Sequence, residues 1–164
     1  MCTSDCLIYE EKVTSLRTEV LFIALAVLCL ALFAWRVAHA GFGILTVGCL
    51  FLFVMFFFYS LNYRVLVIRI STDGLKLKFG LFGWTIPWQA VEYAYADETS
   101  LWRISGAGIH FSFFNRRYRA MYNFLEYPRV VVTLREKRGL VREVAFSTER
   151  PDEIMRIIEA SVAG

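Results

Sequence analysis

Four groups of residues in this chain have the types that chemistry needs. Asp97 and Glu98 are neighbouring carboxylates, the pair from which general acid–base catalysis is built. His110 lies close in sequence to Ser105 and Ser112, the raw material of a nucleophile and its base. Cys2 and Cys6 form a C-x₃-C pair of the sort that ligates zinc. Arg116, Arg117 and Arg119 alternate with Tyr118 and are followed by Tyr122, a cationic and aromatic strip suited to anionic headgroups at a membrane surface.

The first three groups fall short of a working constellation. Adjacent residues of a strand point to opposite faces, so Asp97 and Glu98 would not share a proton. His110 has no evident acidic residue to orient it and no nucleophile elbow around either serine. Cys2 and Cys6 have no further Cys or His near them, and the remaining cysteines, Cys29 and Cys49, lie in apolar runs where they act as small hydrophobes. No phosphate-binding G-x-x-x-x-G-K-[ST] loop is present. The expectation is no enzyme, no catalytic residues, no metal and no cofactor. The arginine strip, Arg116, Arg117 and Arg119 with Tyr118 and Tyr122, is the candidate binding site.

The rest of the chain must place that strip. Of 164 residues, 57% are hydrophobic and mean hydropathy is +0.50, too apolar for so short a chain to hide in one soluble core. The apolar residues are concentrated. Between Val20 and Leu61 the one formal charge is Arg36. Val20–Ala40 and Gly41–Leu61 are each long enough to cross the roughly 30 Å hydrocarbon layer at 1.5 Å per residue. One continuous helix over both would overrun a bilayer, so the break is expected at His39–Gly43, where two glycines permit a turn. The result is a transmembrane hairpin over 20–61. Residues 1–19 read as a polar cytosolic segment without the features of a signal peptide. Lys12, Arg17, Arg64, Arg69, Lys76 and Lys78 flank the hairpin, whereas its tip carries Arg36 and His39. The positive-inside rule therefore predicts a multi-pass protein of the cell membrane with both termini cytoplasmic. Within the spans Thr46 and Ser60 are nearly the sole polar side chains, which speaks against a transport path.

After Leu61 the hydrophobic period becomes two. Strands are expected at 62–70, 75–79, 84–86, within 88–96, at 109–114, 119–124, 129–134 and 141–146, with turns at Ser71–Gly74 and Glu136–Gly139. At the end the period returns to that of a helix. Pro151 suits a first helical position, Asp152 and Glu153 suit its positive end, and Ile154, Ile157 and Ile158 form an apolar stripe. The fold class is thus α+β: a two-helix transmembrane hairpin, then a β-barrel or sandwich of about seven strands over 62–164, closed by an amphipathic helix. From Asn62 onward 15 Lys and Arg stand against 11 Asp and Glu. That excess is too mild and dispersed for a nucleic-acid binder.

Several short stretches are also familiar in their order: Thr72-Asp73-Gly74-Leu75 with Phe79-Gly80, Ile86-Pro87-Trp88 with Val91, Gly106-x-Gly108-Ile109, the 129–134 strand, and Ala145-Phe146-Ser147-Thr148 with Pro151-Asp152-Glu153. With the hairpin in front, the chain resembles the prokaryotic membrane proteins that carry a pleckstrin-homology-like domain. That resemblance implies a non-catalytic binding or scaffolding module at the membrane. Its partners would be the bilayer itself and a protein, which can be a second copy of the chain. An anionic-lipid sensor or organiser is the alternative reading, and a small subunit of a transport complex a weaker one. Phosphoinositide-binding members carry basic residues in the first loop between strands. Here that loop is Ser71-Thr72-Asp73-Gly74, short and acidic.

Overall fold

A computed structural model of the protein describes residues 6–99, 106–114 and 117–163. The chain divides into two compact units. One is the hairpin, Ser15–Arg64; the other combines the chain up to Thr14 with everything from Val65 onward.

The hairpin consists of α1 (Leu16–Ala40) and α2 (Ile44–Asn62). Both are long and apolar enough to cross a membrane. α1 starts four residues before the apolar run because Ser15 caps it: the Ser15 hydroxyl accepts the Thr18 amide at 3.1 Å, satisfying a donor that the first turn leaves open. The turn falls where the glycines stand, with Gly41 at φ 71°, a conformation that costs a side-chain-bearing residue 1–2 kcal/mol or so. Between the helices Phe22, Ala26, Cys29, Thr46 and Ser60 are buried. The two hydroxyls satisfy themselves locally, Thr46 donating to the Gly41 carbonyl and Ser60 to the Phe57 carbonyl. At the polar end Arg64 pairs with Glu19 at 2.9 Å, and Phe22, Tyr59 and Tyr63 form a cluster of rings.

The second unit is a sandwich. Among the described residues its first sheet has the order β1-β2-β3-β4 and its second the order β5-β8-β9-β7-β6. The first sheet contains β1 (Leu7–Thr14), β2 (Val65–Ser71), β3 (Gly74–Phe79) and β4 (Phe82–Pro87), all antiparallel. A single 3₁₀ turn, Trp88–Ala90, leads to β5 (Val91–Ala96). Then come β6 (Gly108–Phe114), β7 (Arg117–Asn123), β8 (Arg129–Arg138) and β9 (Val141–Ser147). The pairing of β7 with β9 is parallel. The last helix, α3 (Pro151–Ala163), packs on β5, β8 and the 3₁₀ turn through Ile154 and Ile158.

The core between the sheets follows from alternation. Leu66, Ile68, Ile70, Leu75, Leu77 and Phe79 face inward from the first sheet; Tyr122, Phe124, Val130, Val132, Leu134, Val144 and Phe146 face them from the second. Phe79 lies against Tyr122 and Phe124, with centroids 6.3 and 5.1 Å apart. Gly74 is required by close approach: a Cβ there would stand 2.3 Å from the Ile86 carbonyl oxygen.

One element departs from expectation. The polar start of the chain, read above as a cytosolic segment over 1–19, contains β1. It pairs along its length with β2, from Leu7 opposite Ser71 to Thr14 opposite Val65. The β unit therefore does not begin at residue 62; the hairpin is inserted between its first two strands. Val13 faces the core with no exposure. Glu11, on the same side of β1, accepts hydrogen bonds from the Thr148 hydroxyl and the Glu149 amide, each at 2.7 Å. It ties the first strand to the entry of α3. Tyr9 donates to Glu11 at 3.2 Å; burial, followed by the Glu11 charge, pushes its phenol up to about 12.

Candidate binding surface

Period two splits the arginine strip. In β7, Arg117, Arg119 and Met121 point to one face of the second sheet and Tyr118, Ala120 and Tyr122 to the other. Arg116 lies outside the described residues. Tyr122 is buried against Phe79. Tyr118 is 42% exposed and leans on Phe113, ring centroids 5.0 Å apart. The four described residues do not make one surface.

Arg119 is 3% exposed. Its guanidinium donates to both sides of a fixed frame: two bonds to Glu143 Oε2, at 2.9 and 2.8 Å, and one to the Tyr95 hydroxyl at 3.0 Å. It also stands 3.4 Å from Asp97 Oδ1. Arg117 donates to Glu143 Oε1 at 3.2 Å. Arg129 donates to Asp97 Oδ2 at 3.0 Å and reaches the Thr99 carbonyl. Four strands of the sheet, β5, β7, β8 and β9, are thus brought together on one face by a lattice of three cations and two carboxylates. The register makes this possible, since Glu143 stands opposite Arg119 on one side and Thr133 on the other. Beside it Met121, Val131 and Ala145 form a small apolar cluster with Tyr95 against it.

The electrostatics are those of a satisfied buried network. Burial by itself would raise the Asp97 carboxyl, but the Thr99 and Arg129 hydrogen bonds and the Arg119 charge hold it below the usual aspartate range. Burial pushes the Tyr95 phenol up. Charges paired this closely specify one arrangement of strands; their net contribution to stability is small beside the cost of removing any single partner. Asp97 is therefore engaged by two arginines, and it does not share a site with Glu98. His110 occupies β6 opposite Met121, and Ser105 lies outside the described residues. Among the described residues no group of three or more His, Cys, Asp or Glu side chains is placed to hold a metal. Cys2 too lies outside them.

Several large apolar side chains of the second unit stay exposed, Leu7, Ile8 and Leu140 among them. Phe111 and Phe113 on the edge strand β6 are 68% and 63% exposed, and Leu81, at the turn between β3 and β4, is 79% exposed beside Phe82. Sequence reasoning placed Phe111 and Phe113 in the expected strand 109–114 and assigned the binding role to the arginine strip that follows it. Alternation was the available signal: Phe111 and Phe113 fall on the same face as Tyr118, in a strand with no partner beyond it among the described residues. In the hairpin, a groove of about 440 Å³ runs between Ile23, Val27, Leu30, Phe53 and Phe57, with Glu19 and Arg64 at one end. It is apolar along the spans and offers no ladder of polar groups. Compared with known proteins, the chain matches no protein-family model and no curated protein.

Proposed function

We propose that the chain is a membrane-anchored, non-catalytic binding module that holds a partner protein at the bilayer, with a β unit of the pleckstrin-homology-like kind. The observation that carries this is the insertion of the hairpin into the β unit. Thr14 pairs with Val65, so the two flanks of the hairpin belong to one folded body and stand on one side of the membrane. A pair of spanning helices meets that condition, and a single span does not. The positive residues on those flanks, Lys12, Arg17, Arg64 and Arg69, favour the cytoplasmic side. Such an insertion gives the β unit two covalent tethers a strand spacing apart. That restricts its tumbling as one flexible linker would not, and suits presentation of a surface at fixed height. Proximity labelling in cells tests the reading. Labelling fused to the full chain should enrich a defined protein set that a hairpin-only control, Ser15–Arg64, does not. Identical sets would sink it.

The topology has its own check. In a chain whose native cysteines are replaced, Phe42→Cys at the hairpin tip should react with an impermeant thiol reagent from outside intact cells, and Asp73→Cys should react only after lysis.

The second reading, an organiser of the lipid surface, is favoured by the exposed aromatics Phe111, Phe113 and Tyr118. Arg119 has no part in it, because Glu143 and Asp97 already neutralise its charge in the interior.

A further inference from the structure

The end of the β unit at which the chain departs and returns can be followed strand by strand. Thr14 pairs with Val65, Leu66 with Phe79, and Phe79 with Phe82. The turn between β3 and β4, with Leu81 at its tip, therefore lies at the same strand ends as Thr14 and Val65. It stands one to two strand spacings, roughly 5–10 Å, to the side of Val65. The turn between β2 and β3, at Thr72–Asp73, lies at the opposite end.

The second sheet is ordered along the same direction. Phe79, at the junction end, packs on Tyr122 and Phe124 of β7 and just after it. At the opposite end Pro87 pairs with Gly74, and the 3₁₀ turn that follows packs on β8 and leads into β5. The order β5-β8-β9-β7-β6 thus runs from the far end toward the junction, and β6 is its last strand. Two apolar elements from different sheets, the Leu81-Phe82 turn and the Phe111/Phe113 edge, converge on the end of the unit where the chain enters and leaves α1 and α2. Lys78 is exposed on the outer face of β3 one residue before Phe79.

We infer that this end is a lipid-seating surface: Leu81, Phe82, Phe111 and Phe113 lie in the boundary between headgroups and acyl chains, with Lys78 at the level of the phosphates. The inference rests on the reading of α1 and α2 as membrane spans. Connectivity argues for lipid as the occupant. Thr14 and Val65 are each joined within two residues to an apolar helix, so the strand ends beside them cannot be far from the interface. Aromatic and aliphatic side chains with a flanking lysine are what that layer accepts. The β unit would then be seated on the bilayer by four side chains as well as tethered to it, and its far end, around Asp73, would be the part presented to the cytoplasm.

Site-directed spin labelling tests this with the full chain in vesicles of phosphatidylcholine and phosphatidylglycerol. Native cysteines are replaced, and one nitroxide is placed at Leu81→Cys, Phe113→Cys, Asp73→Cys or Phe51→Cys. The expected result is that oxygen, which concentrates in lipid, relaxes the labels at 81, 113 and 51 more than a water-soluble nickel chelate does, with the reverse at 73. Chelate-dominated relaxation at both 81 and 113, with 51 lipid-like, overturns the seating surface and leaves the spans standing. A split result removes the sheet whose label is wet. Weak relaxation by both reagents at 81 and 113 means that protein covers this end and overturns the assignment to lipid. A wet label at 51 overturns the spanning reading itself.

Discussion

Cutting the chain before β2 should unfold the β unit, and splicing out the hairpin should not. The fragment Val65–Gly164 loses β1. With it go the buried Val13, worth about 2 kcal/mol by its apolar area, and the two hydrogen bonds that Glu11 makes to Thr148 and Glu149, together worth about 2 kcal/mol net for a charged acceptor. The ladder bonds of β1 roughly repay the entropy of ordering its backbone and add little to the sum. The loss, about 4 kcal/mol, is a large part of the 5–15 kcal/mol that domains usually possess. It also bares β2, a strand of Val, Leu and Ile, as a new edge open to aggregation. In the spliced chain, Cys6–Thr14 is joined to Val65–Gly164 through Asn-Gly. A two-residue turn suits strands already paired at Thr14 and Val65. Urea unfolding followed by tryptophan fluorescence separates the two. Trp88 is a suitable reporter, buried and donating its indole N–H to the Ser71 carbonyl at 2.9 Å. With a slope of about 1–3 kcal/mol per molar, the fragment's midpoint should fall by roughly 1–4 M, or no cooperative transition should be seen. Equal midpoints for fragment and spliced chain would refute the assignment of β1 to the core.

The same spliced chain serves the remaining tests. Arg119→Met should cost about 3 kcal/mol, because it leaves Asp97 and Glu143 buried with one cation fewer; a double-mutant cycle with Glu143→Gln should show strong coupling, and additive effects would contradict the network. The depressed Asp97 carboxyl makes stability sensitive to acid. Its contribution is fully present above the ordinary aspartate value near 3.8 and is lost as pH falls through the lower, folded value. Asp97→Asn should flatten that slope in unfolding midpoints measured across the acid range, and an unchanged slope would assign the acid sensitivity elsewhere. Gly74→Ala should destabilise by about 2 kcal/mol, the usual scale of overpacking, since its Cβ would meet backbone that cannot swing aside; an unchanged midpoint would mean that the β3–β4 spacing gives way.

Much of the architecture is legible residue by residue. Two apolar runs separated by glycines, with Arg36 their one formal charge, have few alternatives to a helical hairpin, because each is long and apolar nearly all round. Alternation marks β3, and the change of period after Pro151 marks α3. The limits are as specific. β1 reads Leu-Ile-Tyr-Glu-Glu-Lys-Val-Thr, with a carboxylate at a core-side position. It looks like a solvated segment until Thr148 and Glu149 are brought to it from the far end of the chain. The turn at Gly139 also comes later than expected, since β8 runs on through charged Glu136, Lys137 and Arg138.

The arginine strip shows the division most clearly. That Arg117, Arg119, Tyr118 and Tyr122 lie close together is a property of the sequence; which of them meets solvent is not. Strand geometry sends neighbours to opposite faces. The fate of each face depends on what other strands and sheets lay against it: Glu143 and Asp97 against Arg119, Phe79 against Tyr122. Composition by itself marked α1 and α2 as long and apolar enough to cross a membrane and the rest of the chain as ordinary in polarity, because transfer free energy sums over residues without regard to their partners. Only the tertiary structure decided that the chain's first strand belongs to the last domain and that Arg119 is buried against Glu143 and Asp97. Both depend on pairings between residues far apart in sequence, and no local window contains them.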